Sequence, residues 1–198
     1  MPASERPIRP AAPDVAGVEP TDVCQPGETD VDVSRAVWVN QRVLGGELDR
    51  PEIVDLSAEG CDFSGITATG ANMRRIRVAA SRLRDCTFGG GVLQDAVLDE
   101  CTSLRLSLRF ATLQRVIVTT STMAELDLYG ATLDHVLFRD CDLSGAVFRD
   151  VTVKNARFER CTFAGVQGAL SLRGADVDLD DLITLGPSLA REAGLRLH

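Results

Sequence analysis

Lysine is almost missing from this chain, with Lys154 alone among 21 basic side chains, and histidine, tryptophan and tyrosine number only two, one and one. The excess of arginine reads as a bias of composition and not as a binding feature. The histidines are His135 and the terminal His198, neither in a triad context, and no Cys-x-x-Cys occurs, so nothing indicates a zinc site or a histidine-centred catalytic group. Fingerprints of the GxSxG, P-loop and dinucleotide-binding kinds are missing as well. No apolar run is long enough to cross a bilayer, and the opening MPASERPIRPAAPDV lacks the hydrophobic stretch of a secretion signal. These absences predict a cytoplasmic protein that is not an enzyme, with no cofactor, no metal and no membrane contact. Asp176, Asp178, Asp180 and Asp181 resemble a calcium loop only faintly, because Asp181 and Pro187 stand where that loop wants Gly and Glu; capping of a helix accounts for them better.

Helix and strand periods, about 3.6 and 2 residues, are missing from the middle of the chain too. Residues 61–165 hold instead a five-residue register without insertion or deletion, CDFSG, ITATG, ANMRR, IRVAA, SRLRD and on to CTFAG, twenty-one units in all. The middle residue of each unit is apolar except at Ser103: Phe63, Ala68, Met73, Val78 and Leu83 begin the column. Two residues earlier stands a column of small or aliphatic side chains, beginning Cys61, Ile66, Ala71, Ile76 and Ser81. Both columns must point inward, while Thr, Asp, Arg and Gly in the other three face water. Gly65, Gly70, Gly90, Gly130, Gly145 and Gly165 close their units, where a turn of positive φ favours glycine. Units that bury two side chains each cannot fold alone and must stack into a solenoid with one continuous core.

Ala71-Asn72-Met73, Ala131-Thr132-Leu133 and Cys141-Asp142-Leu143 follow the pattern A-[DN]-L-x-x, and on these units the chain resembles the pentapeptide-repeat family. The resemblance implies an all-β solenoid, a right-handed quadrilateral β-helix with four units per coil, stacked about 4.8 Å apart. We divide the chain into a disordered, acidic, Pro-rich tail (1–30), degenerate N-terminal coils (31–60), the β-helix (61–168) and a helical C-terminal cap or dimerisation element (169–198). In the degenerate coils Trp38 is too large for the usual interior, and Gln41 and Pro51 suit the second inward column badly. At the C-terminus Asp178 is the expected N-cap of a helix with Leu182, Ile183 and Leu185 on its apolar face; Gly186 would end it and Pro187 would begin another.

Cys61, Cys86, Cys101, Cys141 and Cys161 fall in the second inward column, where Ala and Ser alternate with them, and read as core thiols. With four units per coil Cys141 and Cys161 should be stacked neighbours, in a geometry that suits a disulfide poorly. Ser103 should weaken the solenoid unless its hydroxyl finds a carbonyl. On the outside, Arg77, Val97, Ile117, Leu137 and Arg157 should share one wall, three aliphatics between two arginines, a candidate interaction surface that the tail or a partner would cover. Leu104 and Phe110 add outward apolar residues on adjoining walls.

The net charge of −8 is uneven: residues 61–165 carry 13 basic and 12 acidic side chains, residues 1–60 carry 5 and 12, and residues 166–198 carry 3 and 5. Arg74, Arg75, Arg77, Arg82 and Arg84 form a basic patch on the early coils. The expected function is a non-enzymatic scaffold that binds a protein partner, with no direct nucleic-acid contact. Resemblance to the family implies two further expectations: an acidic DNA mimic that binds DNA gyrase or topoisomerase and gives self-resistance to a toxin or quinolone-like antibiotic, and a homodimer through the C-terminal helix.

Overall fold

The computed structural model describes residues 8–20 and 32–195. From Asp32 the chain winds as a parallel β-solenoid of about 7 turns, closed at its C-terminal end by one helix. Each strand pairs with the one a full coil later, so that Phe63 faces Leu83, Leu93 faces Leu113 and Ile117 faces Leu137. Strands Asp32–Val39, Glu52–Glu59, Asn72–Ala79, Val92–Asp99, Thr112–Thr119, Thr132–Arg139 and Thr152–Glu159 stack in one sheet, which the short Asp176–Val177 completes. Arg42–Glu47, Asp62–Thr67, Arg82–Arg84, Thr102–Leu104 and Thr122–Ala124 stack in a second, and bridges through Thr67, Thr87, Ser107 and Asp127 continue the pairing on a further wall.

What makes the coil square is a left-handed residue at the end of each unit, with Asn155, beside the slip in pairing at Lys154, as the exception. In one coil Arg75, Ala80, Asp85 and Gly90 have φ of 55°, 47°, 53° and 68°, so each long strand bends at its middle and covers two walls. The six glycines expected at such turns all have positive φ, but Arg, Asp, Thr120 (φ 50°) and Phe110 (φ 57°) take the same corner elsewhere. For a residue with a Cβ this costs on the order of 1–2 kcal/mol. The flanking ladders hold the corner regardless: Thr120 N–H, for instance, donates to the Arg139 carbonyl of the next coil at 3.0 Å.

From Cys61 to Cys161 the second inward column is buried throughout, and of the central column only Phe88 and Val153 are half-buried. Ser103 is satisfied, its hydroxyl donating to the Leu83 carbonyl at 3.0 Å, so the expected weak point loses its physical basis. Phe138, Phe148, Phe158 and Phe163 fill the late coils, with Phe138 and Phe158 stacked at 5.3 Å one coil apart. Val153 lies beside a slip in pairing: Leu133 faces Val153 but Asp134 faces Asn155, which leaves Lys154 out of the ladder.

Residues 32–60 share the same register, Asp32 facing Glu52 and Ile53 facing Met73. Trp38 fits because Ala58 lies directly below it and its ring packs on Phe63 at 6.1 Å. Pro51, buried in the second column, still offers its carbonyl to the Asn72 N–H at 2.9 Å, as Gln41 does to Asp62. Residues 8–20 form no regular element but are tied to the coils: Ala11 N–H donates to Asp95, Asp14 N–H donates to Asp55, and Arg35 Nε donates to the Asp14 carbonyl. The rest of the tail, with Cys24, lies outside the described residues.

At the other end the expected pair of helices is a single helix, Asp181–Glu192, with Asp180 and not Asp178 at its N-cap and Pro187 inside it. Side chains on one face of this helix supply acceptors that a further coil would have supplied. Asp181 Oδ1 accepts Cys161 N–H at 2.9 Å, Thr184 Oγ1 accepts Phe163 N–H at 3.1 Å, and the Glu192 carboxylate accepts the N–H groups of Gly168, Ala169 and Leu170. Leu185 and Ser188, both buried, plug the end between them. Anchors on both sides of Pro187 fix one axis, which is why the proline does not start a new helix. The predicted apolar face therefore splits, with Leu185 inward and Leu182 and Ile183 outward.

Candidate functional site

Strand register places Arg77, Val97, Ile117, Leu137 and Arg157 in one file down a single wall. The file is less open than the sequence suggests: Leu137 is 7% exposed and Val97 and Ile117 are half-buried. Arg157 closes one end through Glu159 at 3.6 Å and Asp176 at 3.9 Å. The basic patch becomes a belt around one coil. Arg74 pairs with Glu52 and Arg75 with Asp55, while Arg77, Arg82 and Arg84 are exposed on the next two walls.

Three surface features go further than the sequence reading, which named Phe110, Leu182 and Ile183 but not their surroundings. One is the corner file Arg35, Asp55, Arg75, Asp95, Arg115, His135, in which charge alternates through the first five positions. Arg75 grips Asp55 with two bonds of 2.6 and 2.7 Å, and Arg115 grips Asp95 at 2.6 and 2.8 Å. Held by Arg75 first and by the Asp14 amide further, the Asp55 carboxyl is lowered to about 2; Asp95 is lowered by Arg115 and the Ala11 amide. The tail lies along this file. Other corners pair likewise, Asp85 with Arg105 and Asp140 with Arg160. This alternation is legible only once a twenty-residue period is laid over the sequence.

Next is an aromatic cluster on the outside: Phe110 and Tyr129 meet edge to face at 5.3 Å, and Arg109 sits 4.5 Å above the Tyr129 ring while pairing with Asp127. The Phe110 ring covers the Gly130 corner so closely that a Cβ there would lie 2.6 Å from it. Last is the outer surface of the C-terminal cap, where Leu179 and Ile183 are 80% and 75% exposed and Leu170, Leu182 and Leu195 are exposed beside them in sequence and on the helix.

Inside, Cys61, Cys86, Cys101, Cys141 and Cys161 are buried free thiols. Burial pushes the thiols of Cys61 and Cys101 up, and that of Cys86 up to about 11, so they are poor nucleophiles. Cys161 is raised by its contact with Cys141 and by burial. Among the described residues no three His, Cys, Asp or Glu side chains converge as metal ligands would, and no helix is long and apolar enough to cross a membrane.

Residues 128–176 match the family model for pentapeptide repeats (9 copies). Among solved structures, a trypsin-treated variant of QnrB1, a plasmid-mediated fluoroquinolone resistance protein, is 13% identical and aligns over 89% of this chain and 96% of its own, with a TM-score of 0.39. HetL, a pentapeptide-repeat protein involved in heterocyst differentiation regulation in the cyanobacterium Nostoc, is 16% identical over 79% and 88%, with a TM-score of 0.34. Such overlaps carry no argument about this chain's role. No curated protein matches it in sequence. The family match over 128–176, the unbroken five-residue register and the left-handed corners that end nearly every unit show pentapeptide repeats in a chain folded as a quadrilateral β-helix.

Proposed function

We propose that the protein is a non-enzymatic cytoplasmic scaffold that acts by protein–protein contact, and that two copies pair through their C-terminal helices. The observation that carries this reading is the division of the helix into two faces. Its inner face is consumed by Asp181, Thr184, Leu185, Ser188 and Glu192 in closing the solenoid. Its outer face leaves Leu182 and Ile183 in water next to Leu179. Burying these side chains against a second copy recovers on the order of 1.5–3 kcal/mol for each one fully covered, and a two-fold interface lets the same patch serve both partners. The file Val97, Ile117, Leu137 is a weaker candidate, because its own stacked neighbours and the wall already hide much of it. Small-angle scattering tests the pairing: end-to-end dimers give a maximum dimension close to twice that of one rod, and a single-rod dimension at every concentration refutes it.

Mimicry of DNA, directed at gyrase, has less support. A mimic offers unneutralised acids to a basic groove, whereas Asp55, Asp85, Asp95, Asp140 and Glu159 each hold an arginine. A gyrase supercoiling assay with and without a poison separates the readings. Protection that weakens as salt rises favours mimicry; none favours the scaffold.

A further inference from the structure

Each coil is enclosed by the same backbone square, so four central side chains must fill a nearly constant area. Late coils achieve this with phenylalanine. The coil of Ile53, Ala58, Phe63 and Ala68 has two alanines, and the coil before it places Val33 and Val43 beside Trp38. The deficit collects into a cavity of about 140 Å³ along the axis of the N-terminal half. Its lining extends from Val33 to Leu108, four successive coils, or about 15 Å at the inter-strand spacing. Glycines and apolar side chains alone form it, and a smaller void of about 20 Å³ continues to Phe138, the first of the four phenylalanines that fill the late coils.

Water does not suit this space, because a buried water needs two to four polar partners, about three on average, and the lining offers almost no polar surface. Left empty, the lining atoms forgo dispersion contacts on one side. Among the described residues, the space is also approachable from one end. Val43 and Leu48 of the first coil and Ile53 of the second point inward yet are only half-buried, and Gly45 and Gly46 put bare backbone where a wall side chain would stand.

We propose that this channel is a binding site for an uncharged linear aliphatic chain, inserted lengthwise from the N-terminal end with any polar head left at the mouth. Length selects the ligand: a channel four coils long and one side chain wide admits an extended alkyl group and gives a compact ring few contacts. Cavities of comparable volume lined by Leu, Ile and Phe take up apolar molecules from water.

Methyl-resolved NMR of the full chain, titrated separately with octanol and with benzene, tests this. Octanol should shift the methyls of Met73, Ile76, Leu83 and Leu98 saturably, leave those of Leu133 and Leu143 in place, raise the melting temperature and bind more tightly than benzene. Ala68→Leu should fill part of the channel, weaken octanol by about tenfold or more and keep the spectrum of a folded coil; Ala68→Val serves if the larger side chain disturbs folding. Shifts confined to Leu179 and Ile183, tighter binding of benzene, or unchanged octanol affinity in both Ala68 variants would each overturn the proposal.

Discussion

The hydroxyl of Ser121 accepts the backbone N–H of Cys101, one coil earlier, at 2.9 Å, and donates to the Thr119 carbonyl at 2.6 Å. Ser81 does the same for Cys61 at 3.0 Å, and Asp181 for Cys161 at 2.9 Å. In this one inward column the small residue is therefore a polar staple between coils and not only a space filler. Ser121→Ala leaves a buried N–H and should destabilise by about 1–3 kcal/mol, read from urea denaturation. Ser121→Thr, which keeps the hydroxyl but adds a methyl to a filled column, should cost stability by crowding instead, with the Cys101 amide still protected from hydrogen exchange.

Asp181 performs the staple with a carboxylate, one of whose oxygens is buried without a partner. Burial is the main cause that raises its pKa above 3.8. A raised acid pKa means that the folded state favours the proton, so its contribution is whole below the unfolded pKa and is lost as pH rises through the folded value. Asp181→Ser keeps the acceptor without the charge. Its stability relative to the parent should improve from pH 3 to pH 7, measured as the difference in melting curves at the two pH values.

Asp55 and Asp95 behave in the opposite sense. Their pKa values are lowered, that of Asp55 by Arg75 to about 2 and that of Asp95 by Arg115, so the stability they give is present above the ordinary carboxylate value and lost as pH falls through the lowered one. Because Asp14 and Ala11 N–H groups bond to these carboxylates, the tail should loosen over the same range. Amide shifts of Ala11 and Asp14 followed through an acid titration should move together with loss of the docked state, and Asp95→Asn should release Ala11 more than Asp14.

Thr120 holds a left-handed corner with a β-branched side chain at φ 50° and is exposed. Asn tolerates this conformation better, as Asn40 (φ 54°) does at an equivalent corner. Thr120→Asn should stabilise by about 1 kcal/mol and raise the melting temperature without changing the far-ultraviolet spectrum.

The solenoid was legible because its signal is carried by types: twenty of twenty-one central residues are apolar, and only stacking can bury them. Turn residues were half legible. Glycines marked six corners, but a corner enforced by ladders on both sides accepts Arg, Asp and Thr, and no local propensity announces that. The C-terminal cap misled because Gly186 and Pro187 are strong local stop and start signals, whereas Asp181, Thr184 and Glu192 are anchored by backbone groups of the last coil, remote in sequence. The alternation from Arg35 to Arg115 was hidden for a related reason, since its members are neighbours only at a separation of one coil.

Pairing through the outer face of the C-terminal helix is the claim on which the functional reading rests, and sedimentation equilibrium of the full chain tests it most directly. The 21.3 kDa chain should sediment as a dimer at micromolar concentration, and Ile183→Glu combined with Leu179→Asp should return it to a monomer with an unchanged β-sheet spectrum. A parent chain that remains monomeric at those concentrations, or a double variant that remains dimeric, would contradict the account.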